Sequence, residues 1–138
     1  MIKIQKKDFN IDKEIQYIKT KHPEVGAIST FIGYVRNTNK DRKVNSINLE
    51  VYNEMAFKLL NEISLKAKKK WDIIDSLVIH RYGKILVNQK IVLVATFSMH
   101  RDVSFKACNF IMNHLKKDAP FWKKEFYQDD YKWLQNSK

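Results

Sequence analysis

Two runs of residues frame the part of the chain that decides its fold: SMHRD at residues 98–102 and KKDAPFWKKE at residues 116–125. The first run predicts the end of a strand and the start of a helix. Asp102 is the predicted N-cap, because a carboxylate can accept hydrogen bonds from the free amide groups of the first turn. Pro120 is predicted to end the helix, since the residue before a proline is pushed out of the helical region. Cationic side chains therefore lie at both ends of one predicted helix.

The residues between these runs have the spacing of a helix with one apolar face. The predicted buried stripe consists of Phe105, Cys108, Ile111, Met112 and Leu115. Because Cys108 lies in this stripe, we expect an inert buried thiol rather than a nucleophile. Lys116 continues the row at the margin of the stripe, where a partly desolvated amine would suit proton transfer or nucleophilic attack.

The whole chain, residues 1–138, is predicted to form one α+β domain, a mainly antiparallel sheet packed with two long helices and a short N-terminal helix. We expect a helix from an N-cap at Asn53, with Met55 on its apolar face, and a mobile loop at residues 36–43. Residues 76–82 and 90–98 should pair as antiparallel strands joined through Gly83, the second at the centre of the sheet. The other predicted elements are a helix at residues 12–20 and strands at 2–5, 27–35, 44–51, 122–126 and 131–134.

The composition is basic, with 26 Lys and Arg against 15 Asp and Glu and a formal net charge of +11. This charge suggests an anionic partner, although lysines that merely solvate a helix face explain part of it. A single cysteine excludes an internal disulfide and fits a reducing cytoplasm. We expect neither a membrane span nor a signal peptide, because no apolar run is long enough.

Arginine is rare among the basic residues, only four of the 26. In a chain that uses lysine almost everywhere, an arginine can mark a place where a planar fork must grip phosphate or carboxylate. Metal-ligand spacing and a glycine-rich phosphate loop are both missing from the sequence, so we expect no metal site. The cations whose joint placement points to a phosphate-bearing small ligand are Arg36, His100, Arg101, Lys116 and Lys123.

Several blocks of the sequence together resemble the MoaE family, the large catalytic subunit of molybdopterin synthase. The resemblance runs in order from about residue 2 to Trp133. The block at residues 119–125 is its most specific part. The blocks are GAISTFIGYVRN at residues 26–37, LEVYNEM at 49–55, HRYG at 80–83, His100-Arg101, and APFWKKE at 119–125.

This resemblance implies a MoaE-like α/β hammerhead fold and a sulfurtransferase that acts without a cofactor. The family transfers sulfur to cyclic pyranopterin monophosphate from the thiocarboxylated C-terminus of MoaD, a small ubiquitin-like carrier. It works in the cytoplasm as a heterotetramer built on a MoaE homodimer, and neither a membrane nor nucleic acid is among its partners. By position, Lys116 and Lys123 would be the catalytic lysines, and both would bind substrate together with Arg36, His100 and Arg101.

Three departures from the family pattern are visible. The acidic residue that precedes the catalytic lysine in the family is Asn113 here, and the loop after Arg36 reads Lys40-Asp41-Arg42 where a glycine is usual. The family pocket also receives an arginine from near the C-terminus of the neighbouring subunit, whereas no arginine follows Arg101. The remaining candidates for that role are Lys132 and Lys138.

Two other functions remain open from the sequence. A basic nucleic-acid-binding module would place basic and aromatic residues on one open sheet face. An inactive scaffold subunit would bind the ubiquitin-like carrier but would have lost activity through the departures above.

Overall fold

The computed structural model describes residues 1–118 and 120–127 and the backbone of residues 131–134. In these ranges it contains three helices and nine strands, and the predicted α+β class is confirmed. The elements are β1 (Ile2–Gln5), α1 (Ile11–Lys19), β2 (Ala27–Tyr34), β3 (Thr38–Asn39), β4 (Arg42–Val51), α2 (Asn53–Lys70), β5 (Asp75–Arg81), β6 (Gly83–Leu86), β7 (Lys90–Ser98), α3 (Arg101–Asp118), β8 (Phe121–Tyr127) and β9 (Tyr131–Leu134).

The first sheet has the strand order β1-β5-β7-β2. The edge strand β1 runs parallel to β5, with Ile2 opposite Val78, whereas β7 is antiparallel to both of its neighbours. From Val92 to Ser98 every residue of β7 is buried, because helices cover both faces of the sheet. The predicted antiparallel pairing of this strand and its central place are confirmed.

The helices form a layer on each side of this sheet. Helices α2 and α3 cover one face, and α1 covers the other. Side chains such as Leu60 of α2 and Ile111 of α3 are fully buried against Val78 and Val94 of the sheet. No helix in the described ranges is both long and apolar enough to cross a membrane.

The second sheet has the order β3-β4-β8-β9, and β6 pairs with the opposite edge of β4 from β8, at Ser46–Leu49. The sequence analysis was wrong to join β5 directly to β7 through Gly83. This glycine has a φ of +82° and opens β6, whose Ile85 is fully buried in the core of the second sheet. The sequence of β6, Gly-Lys-Ile-Leu, does not alternate between apolar and polar residues, so its pattern did not predict a strand.

Helix α3 is rotated relative to the predicted stripe. Phe105, which we expected to be buried, is 62% exposed, and Ser104 and Ala107 face the sheet instead. Asp102 lies inside the first turn and contacts Lys106 at 3.2 Å, so the N-cap prediction was wrong. A buried serine is tolerated in the stripe because its hydroxyl group has hydrogen-bond partners in Ser29 of β2 and in the carbonyl oxygen of Arg101.

Three other local predictions were also wrong. Asn53 is the first helical residue of α2, while Tyr52 occupies the cap position without a side-chain hydrogen bond, and Met55 is exposed. The polar residues 36–43 contain the β3–β4 hairpin instead of a continuous loop. Lys40 and Asp41 form its two-residue turn with φ values of 49° and 67°, which suits the twist of a tight hairpin.

Candidate functional site

Three of the five predicted cations meet where α3 ends and β8 begins. Helix α3 stops at Asp118, and β8 then pairs with β4 so that Lys123 lies opposite Leu49. The positive charges of Arg36 and Lys116 both act on Lys123 and lower its pKa. We call Arg36, Lys116 and Lys123 the lysine cluster.

Within this cluster Lys123 is the partly buried member. Its side chain is 33% exposed, and burial is the largest cause that lowers its pKa, while the charge of Glu125 acts in the opposite direction. Lys116 is exposed, so the desolvation that we expected there is found at Lys123. A lysine with a lowered pKa exchanges its proton more readily near neutral pH.

A buried glutamate lies beside Lys123. Glu125 is 5% exposed, and its Oε2 atom is 3.9 Å from Lys123 Nζ. Its Oε1 atom accepts hydrogen bonds from Asn39 Nδ2 at 2.8 Å and from the Tyr127 hydroxyl at 2.7 Å. The sequence analysis missed this residue, although the alternation of a strand places residues 121, 123, 125 and 127 on one face.

The β3–β4 hairpin is held against this face of β8. In addition to the Asn39 contact, the Arg42 guanidinium lies 3.8 Å from the ring centroid of Tyr127. The hydrogen bond to Glu125 and burial raise the pKa of Tyr127, so its phenol stays a donor at neutral pH. Because Arg36 immediately precedes the hairpin, these contacts limit where its guanidinium can reach.

The other two predicted cations lie elsewhere in the chain. His100 and Arg101 are exposed at the start of α3, about 22 Å from Lys116 along the helix axis at the usual rise per residue. The pairing of Ala27 with Ser98 and of Tyr34 with Lys90 likewise places Arg36 at the far end of β2. One chain therefore brings three of the five predicted residues together and holds two at the opposite end.

Comparison with known proteins assigns this chain to a family. The family model described as MoaE protein matches residues 4–118. The chain belongs to the MoaE family. A molybdopterin synthase catalytic subunit from Ralstonia nicotianae is 44% identical over 133 residues, which are 96% of this chain and 76% of the relative.

Solved MoaE structures have the same fold. A molybdopterin biosynthesis MoaE protein from Burkholderia ambifaria has a TM-score of 0.87 at 37% identity, and the match covers 100% of this chain and 90% of that one. Molybdopterin synthase from Staphylococcus aureus has a TM-score of 0.90 at 28% identity, with 96% of each chain covered. The predicted function, a molybdopterin synthase catalytic subunit that transfers sulfur, is thereby confirmed.

The single thiol of this MoaE chain is buried, as predicted. Cys108 is 7% exposed in the core between α3 and the first sheet, and burial raises its pKa to about 11. Its Sγ atom contacts the carbonyl oxygen of Val94 at 4.0 Å. Little thiolate exists at neutral pH in such a place, so a role for this thiol in carrying sulfur is unfavourable.

His80, from the HRYG block, supports the start of β8. Its ring lies face to face with the ring of Phe121, with the centroids 3.7 Å apart, and its Nδ1 atom is 2.8 Å from the carbonyl oxygen of Arg81. Complete burial lowers the pKa of His80 to about 4, so the ring is neutral at physiological pH. The stack fixes Phe121 two residues before Lys123.

Two of the three departures from the family pattern lie in described residues. Asn113 is exposed on α3, and Lys40 and Asp41 form the hairpin turn. Lys138 and the side chain of Lys132 lie outside the described residues. Among the side chains that the structure describes, no three His, Cys, Asp or Glu groups converge on a possible metal position.

Proposed function

We propose that the lysine cluster is the sulfur-transfer site of this MoaE protein. The observation that carries the proposal is the partly buried Lys123, with its lowered pKa, between the charges of Glu125, Arg36 and Lys116. The substrate would be cyclic pyranopterin monophosphate. The sulfur donor would be the thiocarboxylated C-terminus of a MoaD-type ubiquitin-fold carrier. Both reactants are anions, so a cationic site favours their approach.

Each group of the cluster has a separate task in this proposal. Attack by the thiocarboxylate sulfur joins the carrier to a substrate carbon as a thioester, and water then cleaves that thioester and releases the carrier as a carboxylate. The attack and the opening of the cyclic phosphate build negative charge on substrate oxygen atoms. The side chains of Arg36 and Lys116 stabilise that charge, because they are already in place before the reaction starts. Lys123 transfers the protons, since its lowered pKa brings it closer to the pH at which proton exchange is efficient.

A MoaD-type carrier is supported by a relative of the same fold. A structure from Helicobacter pylori is a protein–protein complex of subunits 1 and 2 of its molybdopterin-converting factor, with a TM-score of 0.81 at 18% identity. We place this chemistry in a reducing cytoplasm, where a thiocarboxylate and a free cysteine both persist.

We also propose that a second copy of the chain completes each site. Within one chain His100 and Arg101 are too far from Lys123 to hold the same small molecule. Strand β2 is an edge of the first sheet, and the apolar side chains of Ile28, Phe31 and Phe105 are exposed beside it. An exposed edge with apolar neighbours favours pairing with another copy, which would bring His100 and Arg101 of one chain to the lysine cluster of the other.

Mixing of inactive variants tests the site and the dimer together. The assay would follow conversion of cyclic pyranopterin monophosphate by thiocarboxylated carrier. Lys123→Ala and Arg101→Ala should each be nearly inactive. After unfolding and refolding as a mixture, random pairing should restore about a quarter of the wild-type sites, because half of the dimers are mixed and one of their two sites is intact.

A mixture of Lys123→Ala with Lys116→Ala is the matched control. Both lesions lie in the same lysine cluster, so every site in a mixed dimer carries one of them, and activity should not return. Recovery in the control, or no recovery in the first mixture, would contradict the shared site. Full activity of Lys123→Ala alone would contradict the proposed function itself.

A further inference from the structure

The turn that joins β7 to α3 carries the exposed side chains of His100 and Arg101. We call residues 98–101 the helix-start turn. Ser98 is fully buried, and its hydroxyl group donates a hydrogen bond of 2.5 Å to the carbonyl oxygen of His100. Ser104 is 1% exposed, and its hydroxyl group donates a hydrogen bond of 2.8 Å to the carbonyl oxygen of Arg101. The backbones of His100 and Arg101 are thus each held by a buried serine.

The hydrogen bond between the hydroxyl groups of Ser29 and Ser104 can run in only one direction. Ser104 has one hydroxyl proton, which Arg101 accepts, so the 2.8 Å contact between Ser29 Oγ and Ser104 Oγ must be donated by Ser29. Thr96 donates to the backbone carbonyl of Ser104 at 2.7 Å. The first turn of α3 is therefore tied to β2 through Ser29 and to β7 through Thr96.

Close packing against Gly26 holds the same turn from its other side. The Gly26 amide donates to the carbonyl oxygen of Ser98 at 2.9 Å. A Cβ atom added at Gly26 would lie 2.4 Å from the carbonyl oxygen of Met99, so the chain segments touch without room for any side chain. This contact is independent of the hydroxyl groups and fixes the same backbone.

From these contacts we propose that Ser98 and Ser104 are positioning residues that hold His100 and Arg101 in the geometry needed to bind the anionic pterin substrate. The inference rests on the proposed function. The two serine bonds end on the backbone carbonyl oxygens of His100 and Arg101, the residues proposed to bind substrate. Preorganisation explains this arrangement, because a fixed backbone leaves only the side chains to be ordered when substrate binds.

Substrate kinetics of Ser98→Ala and Ser104→Ala test the proposal. Each should raise the KM for cyclic pyranopterin monophosphate by about three- to tenfold, the range expected for one lost hydrogen bond, and leave the KM for the thiocarboxylated carrier unchanged. Ser64→Ala is the matched control. Ser64 is also a buried serine on a helix, and its hydroxyl group has no hydrogen-bond partner among the described residues, so both KM values should stay at wild type.

The double variant Ser29→Ala/Ser104→Ala separates positioning from stability. Ser104→Ala leaves the Ser29 hydroxyl group without its acceptor and should lower the Tm, whereas removal of both hydroxyl groups should restore part of that loss. The KM for the pterin should remain raised in the double variant, because the bond from the Ser104 hydroxyl group to the carbonyl oxygen of Arg101 is still missing. A KM that recovers together with the Tm, or that never changes, would overturn the proposal.

Arg101→Ala, measured in parallel, shows which of the two proposals fails. An unchanged KM for the pterin in Arg101→Ala would refute the binding role of Arg101 and with it the positioning of that residue. A raised KM in Arg101→Ala together with wild-type kinetics in Ser98→Ala and Ser104→Ala would refute the positioning alone. If Ser104→Ala does not fold, Ser98→Ala carries the same comparison, since it acts on His100 through a separate bond.

Discussion

Lys123 and Glu125 lie two residues apart on one face of β8, with Nζ of the lysine 3.9 Å from Oε2 of the glutamate. The other carboxylate oxygen is occupied by Asn39 and Tyr127, which fixes the position of the negative charge. Burial lowers the pKa of Lys123, and this charge raises it. The pKa of the proposed proton-transfer group is therefore lowered by burial and by the charges of Arg36 and Lys116, and it is raised by one neighbouring carboxylate.

Glu125→Gln should shift the pH dependence of kcat/KM. Gln keeps an oxygen that can accept from Asn39 and Tyr127 but removes the charge that raises the pKa of Lys123, so that pKa should fall further. If deprotonated Lys123 is the active form, the acidic limb of the profile moves to lower pH. Glu50→Gln, an exposed carboxylate on β4, is the control with the same charge change, and its limb should stay in place. An unmoved limb in Glu125→Gln would exclude Lys123 as the titrating group.

Lys116→Ala and Lys123→Ala should each lower turnover by about a hundredfold or more, the usual contribution of a proton-transfer or charge-stabilising group. Single-turnover assays with saturating substrates measure the effect. Far-UV circular dichroism and the Tm should stay close to wild type, since neither amine is part of the apolar core. Lys106→Ala, an exposed lysine elsewhere on α3, should keep full activity. Wild-type rates in both cluster variants would refute their assignment.

Arg101→Lys should weaken binding of the pterin substrate although the charge is kept. An ammonium group cannot reproduce the planar fork with which a guanidinium grips a phosphate through two hydrogen bonds. Calorimetric titration with cyclic pyranopterin monophosphate would measure the change in Kd. The same affinity in Arg101→Lys would show that the contact is a simple charge attraction.

Cys108→Ala should leave sulfur transfer at a near wild-type rate when thiocarboxylated carrier is supplied. The buried thiol, with its pKa raised to about 11, contributes packing and almost no thiolate. Loss of its sulfur atom should lower the free energy of unfolding by about 1 kcal/mol through the small cavity left behind. A persulfide trapped on Cys108 during turnover would contradict an external sulfur carrier.

His80→Phe should make the protein less sensitive to acid. The pKa of His80 is about 4 in the folded chain and 6.5 for the unperturbed side chain. As the pH falls between these two values, the unfolded state therefore binds a proton that the folded state does not. The free energy of unfolding of the wild type should thus lose roughly 2–3 kcal/mol from this residue between about pH 7 and pH 4.

Urea unfolding of His80→Phe at the same two pH values would show the difference. Phe keeps the ring that stacks on Phe121 and removes the titration. The variant starts from a lower stability at neutral pH, because the carbonyl oxygen of Arg81 loses its partner. Parallel pH profiles of the two proteins would mean that His80 does not control the acid loss.

Local patterns predicted the elements of this fold better than they predicted burial. The alternation in residues 90–98 placed β7 at the centre of the sheet, but helical spacing favoured Phe105 over Ser104 as a buried residue. Ser104 is buried because Ser29 and Thr96 come from two strands distant in sequence, which a helical pattern cannot show. Partial desolvation was predicted for Lys116 but is found at Lys123 for the same reason, since β8 buries Lys123 only by pairing with β4.

The sequence predicted which residues belong to the candidate site, but it did not predict where those residues lie in the fold. Arginine scarcity and the MoaE blocks selected residues that include Arg36 and Arg101, but the length of α3 separates them in one chain. Glu125 was missed because a lone glutamate in a short strand carries no signal until its partner Asn39 is known.

The pairing of the first sheet sets an order of events during synthesis. Among the described strands, β1 pairs only with β5 and β2 only with β7, so both wait for partners from the second half of the chain. About 60 residues separate the end of β2 from the end of β7, which at usual translation speeds takes roughly 3–12 s. During this interval Ile32 of β2, which packs in the core of the folded chain, lacks its partner strand. The time at which the first sheet can form should therefore depend on how fast residues 90–98 are translated.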